Sequence, residues 1–431
     1  MFWGNWGGYI GPSSAAVVIS VPAIVCAQEA ADRPNVPVPS EQGLFQDIAS
    51  LEEKRILSQN GISLEEMCQL VLLNIHQKEF KEAEEFYQKA KAMQEGNNPL
   101  LVVTEARLFH SRFQSDWERK RIDERTARDK LDDMISKLQE IFFQKDYSVE
   151  VRRQAHYLAG LFHLKLNGIK RSSESHRVAY ANLVKASELG HPLAHAELIS
   201  GKLGLFIACG LQKKNVKDSN LSEERKKEKI EQLVKKMQHI AEIEAPELYK
   251  KGIECALQQD DKVDKIWSHL ALNLRYAFFN LQIGNYAQDN QTSNKLYTHA
   301  RLMIEEVLKI APNNERGHNY LGAVYLRFAN INDDVDKKLF FAERSLKSFR
   351  RALEINPHDS ALYCNLIKVL SYKAEHTETS NGMEEARPVY QEMLEWCHKL
   401  INMEETHRMT ERDLGYAEKC LDWGRKKLDN E

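Results

Sequence analysis

Residues 315–357 decide the fold: ERGHNYLGAVYLRF (Glu315 to Phe328), a charged insertion, then KSFRRALEINP (Lys347 to Pro357). Large residues at His318, Leu321, Tyr325 and Phe349 alternate at helical spacing with small ones at Gly322, Ser345 and Ala352. Small residues on facing helices let two backbones approach, and large ones fill the gaps beside them. Pro357 has no amide to donate and ends the second helix. The stretch therefore predicts a helical hairpin. One hairpin cannot bury its apolar face alone, so its flanks should carry copies that stack on it.

They do. Upstream, Trp267, Leu270, Ala271 and Leu274 precede Ala300, Ile304, Val307 and Pro312; downstream, Tyr363, Leu366, Ile367 and Leu370 precede Ala386, Tyr390 and Met393. These positions resemble the tetratricopeptide repeat (TPR), a hairpin of about 34 residues. Pro312 and Pro357 are spaced more widely than one such repeat, so the excess extends helices or loops. The resemblance implies an all-α fold, a right-handed α-solenoid of stacked helical hairpins. It also implies an inner groove lined by first-helix positions, which fall here on Lys265, Ser268, Leu272, Arg275 and Tyr276, on Arg316, Asn319, Ala323, Leu326 and Arg327, and on Ala361, Cys364, Lys368, Ser371 and Tyr372. No acid is among them, although acids slightly outnumber bases in the chain. Lys265, Ser268, Arg275, Tyr276, Arg316, Asn319, Arg327, Asn365, Lys368 and Tyr372 are thus candidates to bind a peptide, and an acidic one. The carboxylate clamp of some TPR proteins is incomplete: Asn365 matches, but Asn319 and Ala323 replace the preceding Lys and Asn.

Composition agrees with helix throughout. Twenty glycines and 11 prolines in 431 residues are few, and 42% hydrophobic with 29% charged residues suits a chain with a substantial core. A net charge of −3 gives no global attraction to nucleic acid. The seven cysteines (26, 68, 209, 255, 364, 397 and 420) are scattered and odd in number, without a CxxC pair, as expected of thiols in a reducing compartment. A cytoplasmic protein with no transmembrane span is expected. Residues 1–43 are a disordered or targeting-like segment, because the apolar run SAAVVISVPAIVCA (Ser14 to Ala27) is too short to span a bilayer and could serve as a signal peptide cut after Ala27. Export is then the alternative, with a role at the envelope or on a host or cell-surface partner.

Residues 44–209 read as N-terminal helical repeats. Ser63 and Glu66 form a capping box, and Phe80, Ala83, Tyr87 and Ala90 fit a degenerate TPR second helix. The charged run after Trp117 reads as a solvated helix face with pairs such as Glu124 with Arg128. Ala155, Leu158, Gly160, Leu161 and Gly168, followed by KASELGHPLAHAEL (Lys185 to Leu198), resemble a Sel1-like repeat; Gly190 suits a left-handed helix cap and Pro192 a first turn. Residues 210–260 read as a linker and connecting helix: a polar loop or hinge over 210–222, then a helix whose stripe is Ile230, Leu233, Val234 and Met237. The final TPR array, 261–431, ends in a capping helix.

No constellation that carries catalysis is present: no HExxH, GxxxxGK[ST], GxGxxG, GxSxG or EF-hand loop. His110, His156, His163 and His195 fall on apolar helix faces, as packed histidines do. A non-catalytic adaptor or scaffold for protein–protein interaction is the expectation, with no cofactor and no metal.

Overall fold

The computed structural model describes residues 44–429, apart from 60, 78, 95–97, 143, 171, 260, 288, 406 and 408. The expectations for residues 1–43 lie outside the described residues. Every regular element among those described is helical: α1 (Leu44–Leu57), α2 (Leu64–Gln77), α3 (Phe80–Ala92), α4 (Pro99–Glu118), α5 (Glu124–Phe142), α6 (Val149–Lys170), α7 (Ser173–Glu188), α8 (Pro192–Lys217), α9 (Glu223–His239), a π-helical turn (Ile240–Glu244), α10 (Ala245–Leu257), α11 (Lys262–Gly284), α12 (Asn290–Ile310), α13 (Glu315–Ile331), α14 (Val335–Ile355), α15 (Ser360–Asn381), α16 (Met383–Asn402), a short 3-10 turn (Met403–Glu405) and α17 (Glu411–Asp429). They pack into two compact units. One joins residues 44–198 with Lys250–Leu272; the other joins Ile199–Tyr249 with Asn273 onward.

In the first unit each helix from α1 to α7 packs on the next, and α2, α4 and α6 also touch side by side. This is the signature of stacked hairpins. The capping box at α2 is formed as expected: Glu66 N–H donates to Ser63 Oγ at 3.2 Å, and Ser63 N–H to Glu66 Oε2 at 3.0 Å. In α3, Ala83, Tyr87 and Ala90 are buried. α5 pairs Arg128 with Glu124 on its wet side while Leu131, Met134, Ile135 and Leu138 enter the core. Gly160 lies against Leu183, whose Cγ would sit 2.8 Å from an added Cβ. Gly190 adopts φ +85°, and the following amide of His191 returns to Ala186 O at 2.9 Å, which ends α7. Gly168, in contrast, lies inside α6 beside open space and makes no turn.

In the second unit the hairpins α13 with α14 and α15 with α16 stack on one another, and α17 covers the last. Helix starts are set by Asp and Asn caps: Asp289, Asn314, Asp334 and Asp359 each accept from an amide of the first turn. Gly322 meets the face of Phe349, with ring carbons 2.9–3.0 Å from where a Cβ would stand, and Ser345 Oγ donates to Gly322 O at 2.7 Å. The same device recurs at Gly284, which faces the Tyr297 ring while Ser293 Oγ donates to Gly284 O at 2.9 Å. In both, serine and aromatic ring are one helical turn apart, so one face binds the carbonyl and covers the glycine. The expected loop over 210–222 is mostly helix, because α8 continues to Lys217. Gly210 does not break it: the absent side chain leaves room for the Tyr286 ring, 2.9 Å from an added Cβ, and the Gln and Lys residues that follow are good helix formers.

One helix among the described residues, α8, is long and apolar enough to cross a membrane, where none was expected. Ala194, Leu198, Ile199, Leu203 and Phe206 are buried within the protein, as in a core helix, while Leu205 and Leu211 are exposed.

Candidate protein-interaction surface

First helices of successive repeats lie side by side in the second unit, and their register is pinned. Asn365 Nδ2 on α15 donates to Asn319 Oδ1 on α13 at 3.0 Å, and the Tyr372 hydroxyl on α15 donates to Ala329 O on α13 at 3.1 Å. Three predicted site residues are thereby spent on internal contacts, and Asn319 and Asn365 are only 3% exposed. Tyr276 is buried too, stacked on Tyr249 with ring centroids 4.4 Å apart. Arg316 is exposed in the first turn of α13, and Arg275 is half-buried. Lys265 and Ser268 fall in the first unit, where Ser268 is buried beside Gln259. The ten candidates therefore do not make one lining. A repeat register identifies the helix face but not which of its positions a neighbour covers.

Arg327 and Lys368 stand out from this set. Both are half-buried, with Arg327 Nε and Lys368 Nζ fully enclosed. Arg327 makes no hydrogen bond or ion pair with any described residue, so its N–H donors have no protein acceptor. Burial pulls its guanidinium down to about 10, against which the phenols of Tyr297 and Tyr286 pull weakly upward. Burial, then the charges of Arg327 and Arg412, push the Lys368 ammonium down to about 7. An enclosed guanidinium without a hydrogen-bond acceptor among the described residues is costly, and it is suited to receiving an anion from outside.

The inner side of the first unit is arranged differently. The Asp264 carboxylate lies 3.6 Å from both His76 Nε2 and Arg107 Nη2. Burial alone would raise its pKa, but Arg107 and His76 hold it well below the carboxylate range. His191, buried and neutral, bonds Gln154 Oε1 at 3.1 Å and stacks on Tyr157. His195 Nε2 faces Cys255 Sγ at 3.8 Å, and Gln69 Nε2 donates to Asp261 Oδ2 at 2.7 Å. Here residues 250–272 supply the acid that the basic face needs. Sequence reading missed this network, since Asp264 lies just before the first groove position, Lys265, and its partners lie far away along the chain.

The α11–α12 and α13–α14 hairpins pair a glycine with an aromatic ring across the crossing, α13 and α15 are aligned through buried side chains, and a covering helix ends the array. The described residues thus form an all-α array of stacked helical hairpins. No protein-family model matches the chain, and no curated protein matches it. Solved structures to which the chain is similar include the TPR2AB-domain:pHSP90 complex of yeast Sti1, at 12% identity and TM-score 0.23, covering 89% of this chain and 99% of that one. The human IFIT1 dimer with m7Gppp-AAAA aligns at 13% identity and TM-score 0.31, over 89% of this chain and 87% of that one. The APC/C hetero-tetramer Cut9-Hcn1 aligns at 12% identity and TM-score 0.22, over 90% and 81% respectively. Similarity this low says nothing of what the present chain binds.

Proposed function

We propose that this chain is a non-catalytic protein-interaction scaffold whose second unit receives an acidic segment of a partner protein along α11, α13 and α15. The observation that carries the reading is Arg327, an enclosed cation with no acidic partner among the described residues, on the face where α13 and α15 align. Exposed Arg316 extends the positive character along α13. A face of one sign attracts its partner through summed potential, so capture weakens as salt rises and the screening length falls to about 3 Å at 1 M. A cytoplasmic setting suits the scattered, unpaired cysteines.

Affinity capture followed by mass spectrometry tests the reading. Wild type is compared with Arg316→Glu combined with Arg327→Gln, and with Arg125→Glu on the exposed side of α5. The groove variant should lose the proteins that wild type retains, and the α5 variant should keep them. Loss in the α5 variant alone would move the binding face to the first unit.

A further inference from the structure

We propose that the groove between the second half of α8 and α9 docks an amphipathic helix of a partner protein, one whose apolar stripe is flanked by acids. The site shares no residue with the α11, α13 and α15 face. It has a volume of about 580 Å³ and is lined by half-buried Val216, Leu221 and Leu233 and by exposed Gln212, Lys229 and Lys236. No acid among the described residues lines it. Along α9, Lys229, Leu233 and Lys236 follow at spacings of four and three residues, so cation, leucine and cation share one helix face. Apolar exposure continues beyond the groove. Leu205, seven residues before Gln212 on α8, Leu211, and Ile243 in the π-helical turn are all exposed, and the ion pair of Lys202 Nζ with Glu244 Oε2, at 3.0 Å, ties α8 to that turn. Covering such area removes it from water, which favours association.

Charge complementarity identifies the occupant. Lys229 and Lys236 make no ion pair with a described residue, whereas neighbouring acids of α9 are already engaged: Glu223 with Lys226 at 2.9 Å, Glu231 with Lys235 at 2.8 Å, and Glu228 with the Gln232 amide at 3.3 Å. Residues 213–239 hold more cations than acids, in a chain of net charge −3. An anionic polymer alone would pair the lysines but leave Val216, Leu221 and Leu233 wet, and a purely apolar helix would cover two ammonium groups without giving them partners. The walls are helices whose backbone groups are bonded within them, so an extended segment would find no main-chain partners there; a helix needs none. Lys229 and Lys236 are separated by about 10 Å along α9, the rise of seven residues, which matches two acids seven residues apart on the incoming helix.

The experiment uses the full chain and a fluorescent synthetic peptide of about 16 residues, long enough to hold a helix, with a leucine stripe flanked by glutamates seven residues apart. Controls are a scrambled peptide of the same composition and a polyglutamate of the same length. Fluorescence anisotropy should show the designed helix bound at least about tenfold more tightly than either control. Lys229→Glu combined with Lys236→Glu should weaken it by about tenfold or more, and Lys227→Glu combined with Lys347→Glu, an equal change of charge at exposed positions outside the groove, should not. Hydrogen exchange should show that binding protects α9 and the second half of α8. Equal binding of the scrambled peptide or the polyglutamate, unchanged affinity in the groove variant, or no binding at all overturns the proposal. So does sedimentation of the chain with phosphatidylserine vesicles in preference to the peptide, which would make this a membrane-binding face. Arg316→Glu combined with Arg327→Gln should leave the affinity unchanged. A loss there with the groove variant unaffected would move the peptide to α13, so this site and the α13 reading fail separately.

Discussion

Gly322 shows how much one missing side chain decides. The Phe349 ring occupies the space a Cβ would need, and Ser345 holds the glycine carbonyl from the same face. Gly322→Leu should overpack this crossing and cost roughly 1–3 kcal/mol, read as a lower denaturation midpoint, and an unchanged midpoint would reject the assigned contact. Arg327 presents the opposite case. An enclosed donor without an acceptor is a standing cost, so Arg327→Met should stabilise the unliganded protein by about 1 kcal/mol while abolishing capture of the acidic partner. Gly322 was legible from sequence because a small residue opposite an aromatic one is a local pattern. The isolation of Arg327 was not, since it depends on which charges three other helices bring near it.

At the scale of elements, helix starts were the most readable features, because a cap needs only residues adjacent in sequence. Ser63→Ala should cost about 1 kcal/mol and speed amide exchange in the first turn of α2, leaving α5 unchanged. The end of α8 was misjudged for an equally physical reason. Gly210 looks like punctuation in a polar stretch, but its role is to admit the Tyr286 ring, a tertiary contact far away along the chain. Gly284 escaped notice in the same way, since only the fold sets the Tyr297 ring against it.

For the molecule as a whole, buried histidines weigh more in the first unit's response to acid than in the second's, where burial lowers the pKa of His318 and His376. Burial lowers the pKa of His156, His163, His191 and His195, all in the first unit, and brings His195 to about 4. Each takes up a proton in the unfolded chain near its ordinary value of about 6.5 but resists it when folded, so stability is lost as pH falls from about 6.5 toward 4. Lys368 acts by the same sign in another window: its contribution is lost as pH falls from about 10.5 to 7 and is constant below that. Hydrogen exchange read by mass spectrometry at about pH 5 and pH 7, corrected for intrinsic rates, should therefore show the first unit loosening more than the second. Equal loosening of both would contradict the burial of these imidazoles. The interleaving of the units also sets the order of events during synthesis. A ribosome has already made Ile199–Tyr249, the opening segment of the second unit, before Leu272 emerges to complete the first, a wait on the order of several seconds at typical translation speed. Through that interval Arg107 and His76 stand without Asp264, so a truncated chain ending at Leu198 should be cut readily by protease, and one ending at Gln282 should resist over residues 64–198.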